Sequence, residues 1–431
     1  MNGKIAVVGA NQQALVFAAL AAKAGFEVTV IEQKPRDEVA YGWTDDMEAA
    51  ALADAGLPKP PEDCYVDSCT PVFVAPNSSK RVEITDAGEP QDLALKRRRF
   101  NAWLEERAID AGARIVYERR VEKALHDGKK IIGLQVDNGG AVSFDLLVDC
   151  GGVNSAIREQ LADSFPITGR IDDEDKFFVR RTVFERPAGS EYKYKKQIYL
   201  KHLGERGISW CNLAGDGKYA DMLIGRIGLL GDENYARALD DLKKDNSIIG
   251  EKIICGGEKL QIPLRKPLSR MTLPGYVLLG DSACMTIPLI GSGMASSIRA
   301  AKMLADVISN PRGEAFSQEN LYRYQLAFMK RIGSEHAFIN TMKNWLLSAD
   351  NGDITLMIDS GLLACVVASA EGASGGMPKA VCRIAAKRPP LLIKLINLLI
   401  KAVGAKKTAL SMPEEYDEKQ FDLWRNKYER I

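Results

Sequence analysis

KIAVVGANQQALVFAALAAKAGFEVTVIE, residues 4–32, decides the fold. Residues 4–8 are a short apolar run of the kind that forms a buried parallel strand. An Ala-rich stretch over 12–24 reads as a helix that Gly25 ends, and residues 27–31 return to β-branched side chains. Strand, helix and strand make a β-α-β unit, whose crossover should be right-handed. The turn between the first strand and the helix places Gly9, Asn11 and Ala14 on the three positions of G-x-G-x-x-G. The first glycine serves a tight turn, the second close approach of a pyrophosphate, the third close helix–strand packing. Asn tolerates left-handed backbone, and Ala is the smallest side chain after glycine. The helix start offers free N–H groups to a diphosphate. Glu32, at the end of the second strand, is placed to accept hydrogen bonds from a ribose diol. An ordinary β-α-β unit has the same outline, so the dinucleotide reading depends on the rest of the chain.

Two further segments supply that support. In DLLVDCGGVNSAIR, residues 145–158, a strand ends in Asp149-Cys-Gly151-Gly152, and Ser155 stands where it would cap the following helix. In LGDSACMTIPLIGSGM, residues 279–294, a strand runs into Gly280-Asp281, then Pro288, then Gly291-Ser-Gly293 at the start of a helix. Asp281 could bind a ribityl hydroxyl, and Pro288 stiffens the loop. Gly291 and Gly293 let a flat ring approach the backbone. A helix beginning near Met294 would turn its positive end towards that ring and favour a reduced, anionic flavin.

The remainder organises around these pieces. A polar, Pro-containing region runs from about 35 to 92, a helix is expected over 94–111, and a strand over 114–118. Apolar stretches at 119–125, 130–137 and 141–149 are separated by Asp127-Gly128 and Asn138-Gly139-Gly140, which predicts a β-meander. Residues 175–230 are strand-rich and suggest an antiparallel sheet. A helix is expected at 234–246, and the last hundred residues read mainly as helices. The chain has 431 residues, enough for two or three domains, and 58 Lys plus Arg balance 57 Asp plus Glu. The near-neutral charge argues against nucleic acid as a partner, and ordinary hydrophobic content excludes global disorder. Eight cysteines with no C-x-x-C pair, and three histidines, give no support for a metal site or a disulfide scaffold. Reduced thiols in the cytoplasm are the expectation.

Taken in order, the three segments resemble the flavoprotein group of p-hydroxybenzoate hydroxylase-like enzymes and, within it, the geranylgeranyl reductases. Residues 263–308 are the closest match, and the resemblance extends as architecture over about residues 1–330. It implies FAD as cofactor, held by Gly9, Asn11, Ala14, Glu32, Asp149, Gly151, Gly280, Asp281, Pro288, Gly291 and Gly293. It also implies that Arg97, in KRRRFNAWL, contacts FAD phosphate or ribose. Two departures stand out. The family's aromatic-x-Trp-x-Phe-Pro stretch is reduced to Ile208-Ser-Trp210-Cys-Asn212-Leu213, and the cysteine some archaeal members carry after strand two is replaced by Tyr41-Gly42-Trp43-Thr44. Trp210 is either a core tryptophan or the wall of an apolar pocket beside the flavin.

The implied fold is α/β, with a Rossmann-like FAD-binding domain carrying a β-meander, an antiparallel-sheet substrate domain and a helical C-terminal extension. The FAD-binding part is assigned to 1–70, 93–165 and 255–330, the substrate part to 71–92 and 166–254, and the helical region to 331–431. The implied reaction is reduction of C=C bonds in a polyprenyl lipid. Electrons would come from NAD(P)H or a small redox protein, since no second dinucleotide fingerprint stands between 150 and 330. No residue declares itself as acid or base from spacing. A flavin monooxygenase or halogenase on the same fold, and a non-catalytic peripheral membrane protein with a degenerate FAD site, are the rival readings.

Residues 391–403, LLIKLINLLIKAV, are apolar at ten of thirteen positions, and Lys394, Asn397 and Lys401 form one narrow stripe. As a helix they reach ~20 Å, short of a membrane span. Two readings stay open, a core-facing helix and a helix lying in a membrane surface.

Overall fold

The structure is a computed structural model and describes residues 3–76, 81–83, 92–362 and 377–431. Its centre is a six-stranded sheet in the order 272–273, 276–278, 146–149, 4–8, 27–31, 114–116. Every pairing is parallel except that of the short edge strand 272–273. The strand 146–149 is buried at all four positions, as a strand covered on both faces must be. The helix Gln12–Lys23 lies on this sheet and packs against the helices Arg97–Asp110 and Met294–Ser309. The strands 121–126, 131–136 and 141–143 form the expected antiparallel meander. The apolar run 141–149, however, is two strands. Asp145 breaks it, donating its N–H to the Lys4 carbonyl while its carboxylate accepts from Lys4 N at 2.8 Å, so the chain leaves the meander for the central sheet.

The second layer is a seven-stranded sheet in the order 253–263, 176–185, 219–227, 207–214, 196–200, 72–74, 81–83. It is antiparallel apart from the pairing of 72–74 with 196–200. One boundary drawn from the sequence is corrected here. Residues 255–263, assigned to the FAD-binding part, belong to the strand Ile253–Pro263, which pairs along the length of Lys176–Glu185 and forms the edge of this sheet. The helix expected from residue 94 begins at Arg97. Residues 92–96 instead form the middle strand of a small sheet with 44–48 and 65–67, because pairing on both sides overrides the helix preference of Leu and Lys. That sheet occupies the region read as merely polar.

The C-terminal region is helical among the described residues, with helices 318–328, 334–348, 351–360, 377–387, 389–410 and 418–429. The helix Pro389–Leu410 packs on the helix Ser334–Ser348. It buries Leu391, Leu398, Ala402, Ala405 and Ala409, and Lys394 and Arg388 pair with the buried carboxylate of Asp353. Its other side exposes Ile393, Ile396, Leu399 and Ile400. The core-facing reading of 391–403 therefore holds for one face of the helix, and the opposite face is apolar and exposed.

Candidate functional site

A single cavity of about 2320 Å³ runs between the central sheet and the seven-stranded sheet. A drug-sized ligand occupies on the order of 300–1,000 Å³, so this cavity has room for a dinucleotide and a second molecule. Gly9, Asn11, Glu32, Arg97, Asp149, Gly151, Asp281, Gly291, Gly293 and Trp210 line it; Ala14, Gly280 and Pro288 do not.

The first turn is built by backbone geometry. Gly9 sits at φ +94°, and a Cβ there would lie 3.0 Å from the Cys150 carbonyl oxygen. Asn11 does not adopt the left-handed backbone suggested for it. At φ −76° and ψ 172° it is the helix N-cap, its Oδ1 accepting from Ala14 N at 3.3 Å and its Nδ2 donating to the Cys150 carbonyl at 2.9 Å. A capping side chain thus replaces the second glycine and ties the turn to the neighbouring strand. Ala14 is fully buried, as close helix–strand packing requires. The Glu32 carboxylate accepts from Ala10 N at 2.8 Å and Lys34 N at 2.9 Å, which fixes its direction at the cavity wall.

Asp149 organises the second turn from within. Its carboxylate accepts from Gly151 N at 2.8 Å, from Tyr276 OH at 2.6 Å and from the Ser155 hydroxyl. The three donors leave it a shaping role rather than that of a ligand contact. Ser155 caps its helix as expected, accepting from Arg158 N at 3.1 Å. Arg158, which sequence reasoning passed over, is fully buried and donates to the carbonyls of Val153, Gly169 and Ser282. Ser282 in turn donates to the Asp149 carbonyl at 2.5 Å. The second and third segments are latched to each other.

In the third segment Gly280, at φ +79°, faces Gln13, whose Nε2 would meet a Cβ at 2.2 Å. The role of Gly280 is this close approach, and Pro288 stiffens the loop from a buried position outside the cavity. Gln13 lines the cavity, is 4 % exposed, and its Oε1 has no partner among the described residues. The helices beginning at Gln12 and Met294 both open on the cavity, and neither carries an acidic residue in its first turn. Two such ends suit negatively charged groups. An orphaned polar atom, two helix starts that open on the cavity and the volume all fit a dinucleotide.

Asp281 faces this space. Burial pushes its carboxyl up to about 6, against the opposing pull of the Arg97 charge. A carboxyl raised by folding binds its proton more tightly folded than unfolded, so its contribution to stability is intact below about pH 4 and lost as pH rises through about 6. In the cofactor-free protein, Asp281→Asn should therefore be more stable than the parent at pH 7–8, by up to about 3 kcal/mol. The gap should close below pH 4. Urea midpoints across this range check it, and a pH-independent gap would contradict it.

Arg97 does not stand alone. It donates to Asp45 Oδ2 at 2.6 Å and Gln12 Oε1 at 3.0 Å. Asp45 also accepts from Arg181 at 2.5 Å, and Arg181 forms a two-pronged pair with Asp221 at 2.9 and 2.5 Å and donates to the Thr44 carbonyl at 2.6 Å. Burial alone would raise the Asp45 carboxyl, but the two guanidinium groups outweigh it and hold it below its usual value. The Arg181 guanidinium lies 4.9 Å from the Trp43 ring centre and 5.4 Å from that of Trp210, while Tyr41 stacks on Trp43 at 4.3 Å. Asp45, Arg181 and Asp221 were not singled out from the sequence, and Tyr41 and Trp43 entered it only in the stretch that replaces a family cysteine. Arg181 had one signal. In KFFVRRTVFE it shares the strand face of Phe177, Val179 and Val183, a charge in an apolar phase.

The seven-stranded sheet presents two rows to the cavity. Leu223, Trp210, Ile198 and Phe73 stand side by side on four adjacent strands, an apolar row. Next to it run Asp221, Asn212 and Lys196, with Lys196 paired to Asp46.

A tryptophan halogenase family model matches residues 78–175 and a squalene epoxidase model residues 263–364. Digeranylgeranylglycerophospholipid reductase 2 of Methanopyrus kandleri is 24% identical over 352 residues, covering 77% of this chain and 84% of the relative. A geranylgeranyl bacteriochlorophyll reductase-like protein from Thermoplasma acidophilum superposes with a TM-score of 0.75 at 18% identity, over 92% of this chain and 99% of the other. The myxobacterial chondrochloren halogenase, described as a variant of FAD-dependent halogenases, gives 0.62 at 14% identity over 99% and 97%. The chain is thus similar in sequence to the digeranylgeranylglycerophospholipid reductases and has the fold that a geranylgeranyl reductase-like protein and an FAD-dependent halogenase share.

Proposed function

We propose that the protein is an FAD-dependent oxidoreductase that saturates C=C bonds of a polyprenyl lipid. The observation that carries this reading is the cavity itself, too large for the dinucleotide alone and floored by the apolar row Leu223–Trp210–Ile198–Phe73. A monooxygenase of small aromatic compounds would call for a compact pocket with polar anchors. Similarity to named reductases over three quarters of the chain supports the same choice.

FAD, when bound and reduced, would supply a hydride to one alkene carbon, with a proton completing the other. The chain's own residues bind and position. Glu32 would take the ribose diol, Arg97 and the helix starts at Gln12 and Met294 the phosphates and ring, and Asp281 a ribityl hydroxyl. The sheet face would hold the prenyl chain away from water. Reduction would draw on NAD(P)H or a small redox protein.

The test is anaerobic. The purified protein, reduced and mixed with a geranylgeranyl lipid, should reoxidise its flavin and yield the saturated chain. Reoxidation by oxygen alone, coupled to an oxygenated product, would replace this reading with the monooxygenase. A colourless protein that cannot be reconstituted with FAD would support the non-catalytic rival.

Access to a lipid points to the membrane surface. Among the described residues no helix is long and apolar enough to cross a membrane. The exposed face of Pro389–Leu410 carries Ile393, Ile396 and Ile400 together with Lys401 and Lys407, the composition of a helix lying in an anionic interface. Replacing the three isoleucines by Gln leaves the packed face intact. Each side chain is worth on the order of 1.5–3 kcal/mol when buried, so partitioning onto anionic vesicles should fall at least ~100-fold. Unchanged vesicle sedimentation would remove the membrane contact.

A further inference from the structure

Two buried polar atoms in the substrate half of the cavity have no partner among the described residues. They are Trp210 Nε1 and Asn212 Oδ1. They belong to one strand, two residues apart, so both side chains stand on the same face of the sheet, and both residues line the cavity. An indole N–H can only donate, and an amide oxygen can only accept. Buried groups of this kind are nearly always paired, because leaving one unpaired costs about 1–3 kcal/mol. The missing partner of Trp210 must therefore carry an acceptor and that of Asn212 a donor.

The position is as informative as the chemistry. Trp210 belongs to the apolar row and Asn212 to the polar row beside it. The other members of the polar row are already engaged, Asp221 by Arg181 and Lys196 by Asp46. Their charges are neutralised in place, which leaves the seam between the rows for a neutral polar group. A chain lying over Phe73 and Ile198 would bring its head to Trp210 and Asn212.

We infer that Trp210 and Asn212 form a recognition site for a hydroxyl group, and that the substrate is a prenyl compound ending in a neutral hydroxyl-bearing head. A hydroxyl is the smallest group that offers both an acceptor to Trp210 and a donor to Asn212. The inference deepens the proposed prenyl-lipid reading and rests on it.

Three compounds separate the two hydrogen bonds. Geranylgeraniol offers donor and acceptor, its methyl ether the acceptor alone, and the C20 hydrocarbon of the same unsaturation neither. The rate constant for anaerobic reoxidation of the reduced flavin should fall in that order, by roughly tenfold at each step. Asn212→Leu should bring alcohol and ether to within about twofold of each other. Trp210→Phe should do the same for ether and hydrocarbon. Rates that are equal for all three compounds on the parent protein would overturn the hydroxyl site while leaving the reductase reading standing. So would a substitution that slows all three alike with their ratios intact. No reoxidation by any prenyl compound, from a protein that was yellow before reduction and turns yellow again when oxygen is admitted, would overturn the reductase reading and this inference together. The parent series decides even where a variant does not fold.

Discussion

Arg181→Met should lower the stability of the protein by about 3–5 kcal/mol at pH 7, the range for removing one partner of a buried ion pair. Arg181 and Asp221 are 5 % and 2 % exposed, and the guanidinium is shared with Asp45. Methionine fills much of the same volume and can still lie between the Trp43 and Trp210 rings, so the loss would report the charge rather than a void. The buried Asp221 carboxylate would be left without a partner, and Asp45 would keep only Arg97. The urea midpoint is the measurement. The double variant Arg181→Met with Asp221→Leu should recover a large part of the loss, because it removes the stranded charge as well as its partner. A double variant as unstable as the single one would show that packing, not charge, accounts for the effect.

The pH dependence carries a sign that can be checked. Folding holds the Asp45 carboxyl below its usual value, so its contribution is present above about pH 4 and is lost as pH falls through its folded value. The parent protein should lose this part of its stability on acidification. Arg181→Met, in which much of that hold is gone, should have less to lose. The difference between the two is therefore greatest near neutral pH and narrows below pH 4. The network joins Arg97 on the nucleotide side to Asp221 on the sheet through one aspartate, so it also sets how the two layers meet around the cavity.

The parts of this site that could be read from the sequence are those where backbone and side chain obey a local rule. Gly9, Ser155 and the helix starts at Gln12 and Met294 follow from turns and caps that depend on a few neighbouring residues. Residues 255–263 were placed with the FAD-binding part because the partner strand, 176–185, lies some seventy residues away and nothing local marks the pairing. Asn11 was read through its tolerance of left-handed backbone, and the structure uses its capping ability instead. The tie between Arg97 and Arg181 spans three segments of chain, and only its outcome in space shows that Asp45 connects them. Arg181 alone left a trace, a charge on the apolar phase of a strand. The two rows of the sheet follow from strand register, which a sequence does not display until the order of strands is known.

Arg158→Met should weaken FAD binding by about 10–100-fold although Arg158 is not among the residues facing the cavity. Its three guanidinium nitrogens donate to the carbonyls of Val153, Gly169 and Ser282 at 2.6, 2.9 and 2.8 Å, and its side chain is fully buried. Val153 follows directly on the Gly151-Gly152 turn, and Ser282 follows Asp281. Methionine cannot donate, so three buried carbonyls would lose their partner. Each such loss costs about 1–3 kcal/mol if nothing relaxes. The cheaper response is for the two turns to separate and admit water, and that movement displaces the Gly151 and Asp281 walls that the cofactor would touch. Arg158→Lys should fall between the two, since an ammonium can reach one or two of the carbonyls but cannot span all three in the planar fork of a guanidinium. Fluorescence titration of the apoprotein with FAD measures the affinity, and a urea melt of the same apoprotein measures the fold. A drop in stability with unchanged FAD affinity would make Arg158 a core residue with no hold on the site. A drop in both, larger for Met than for Lys, is the result that the latch between Asp149, Ser282 and Arg158 requires.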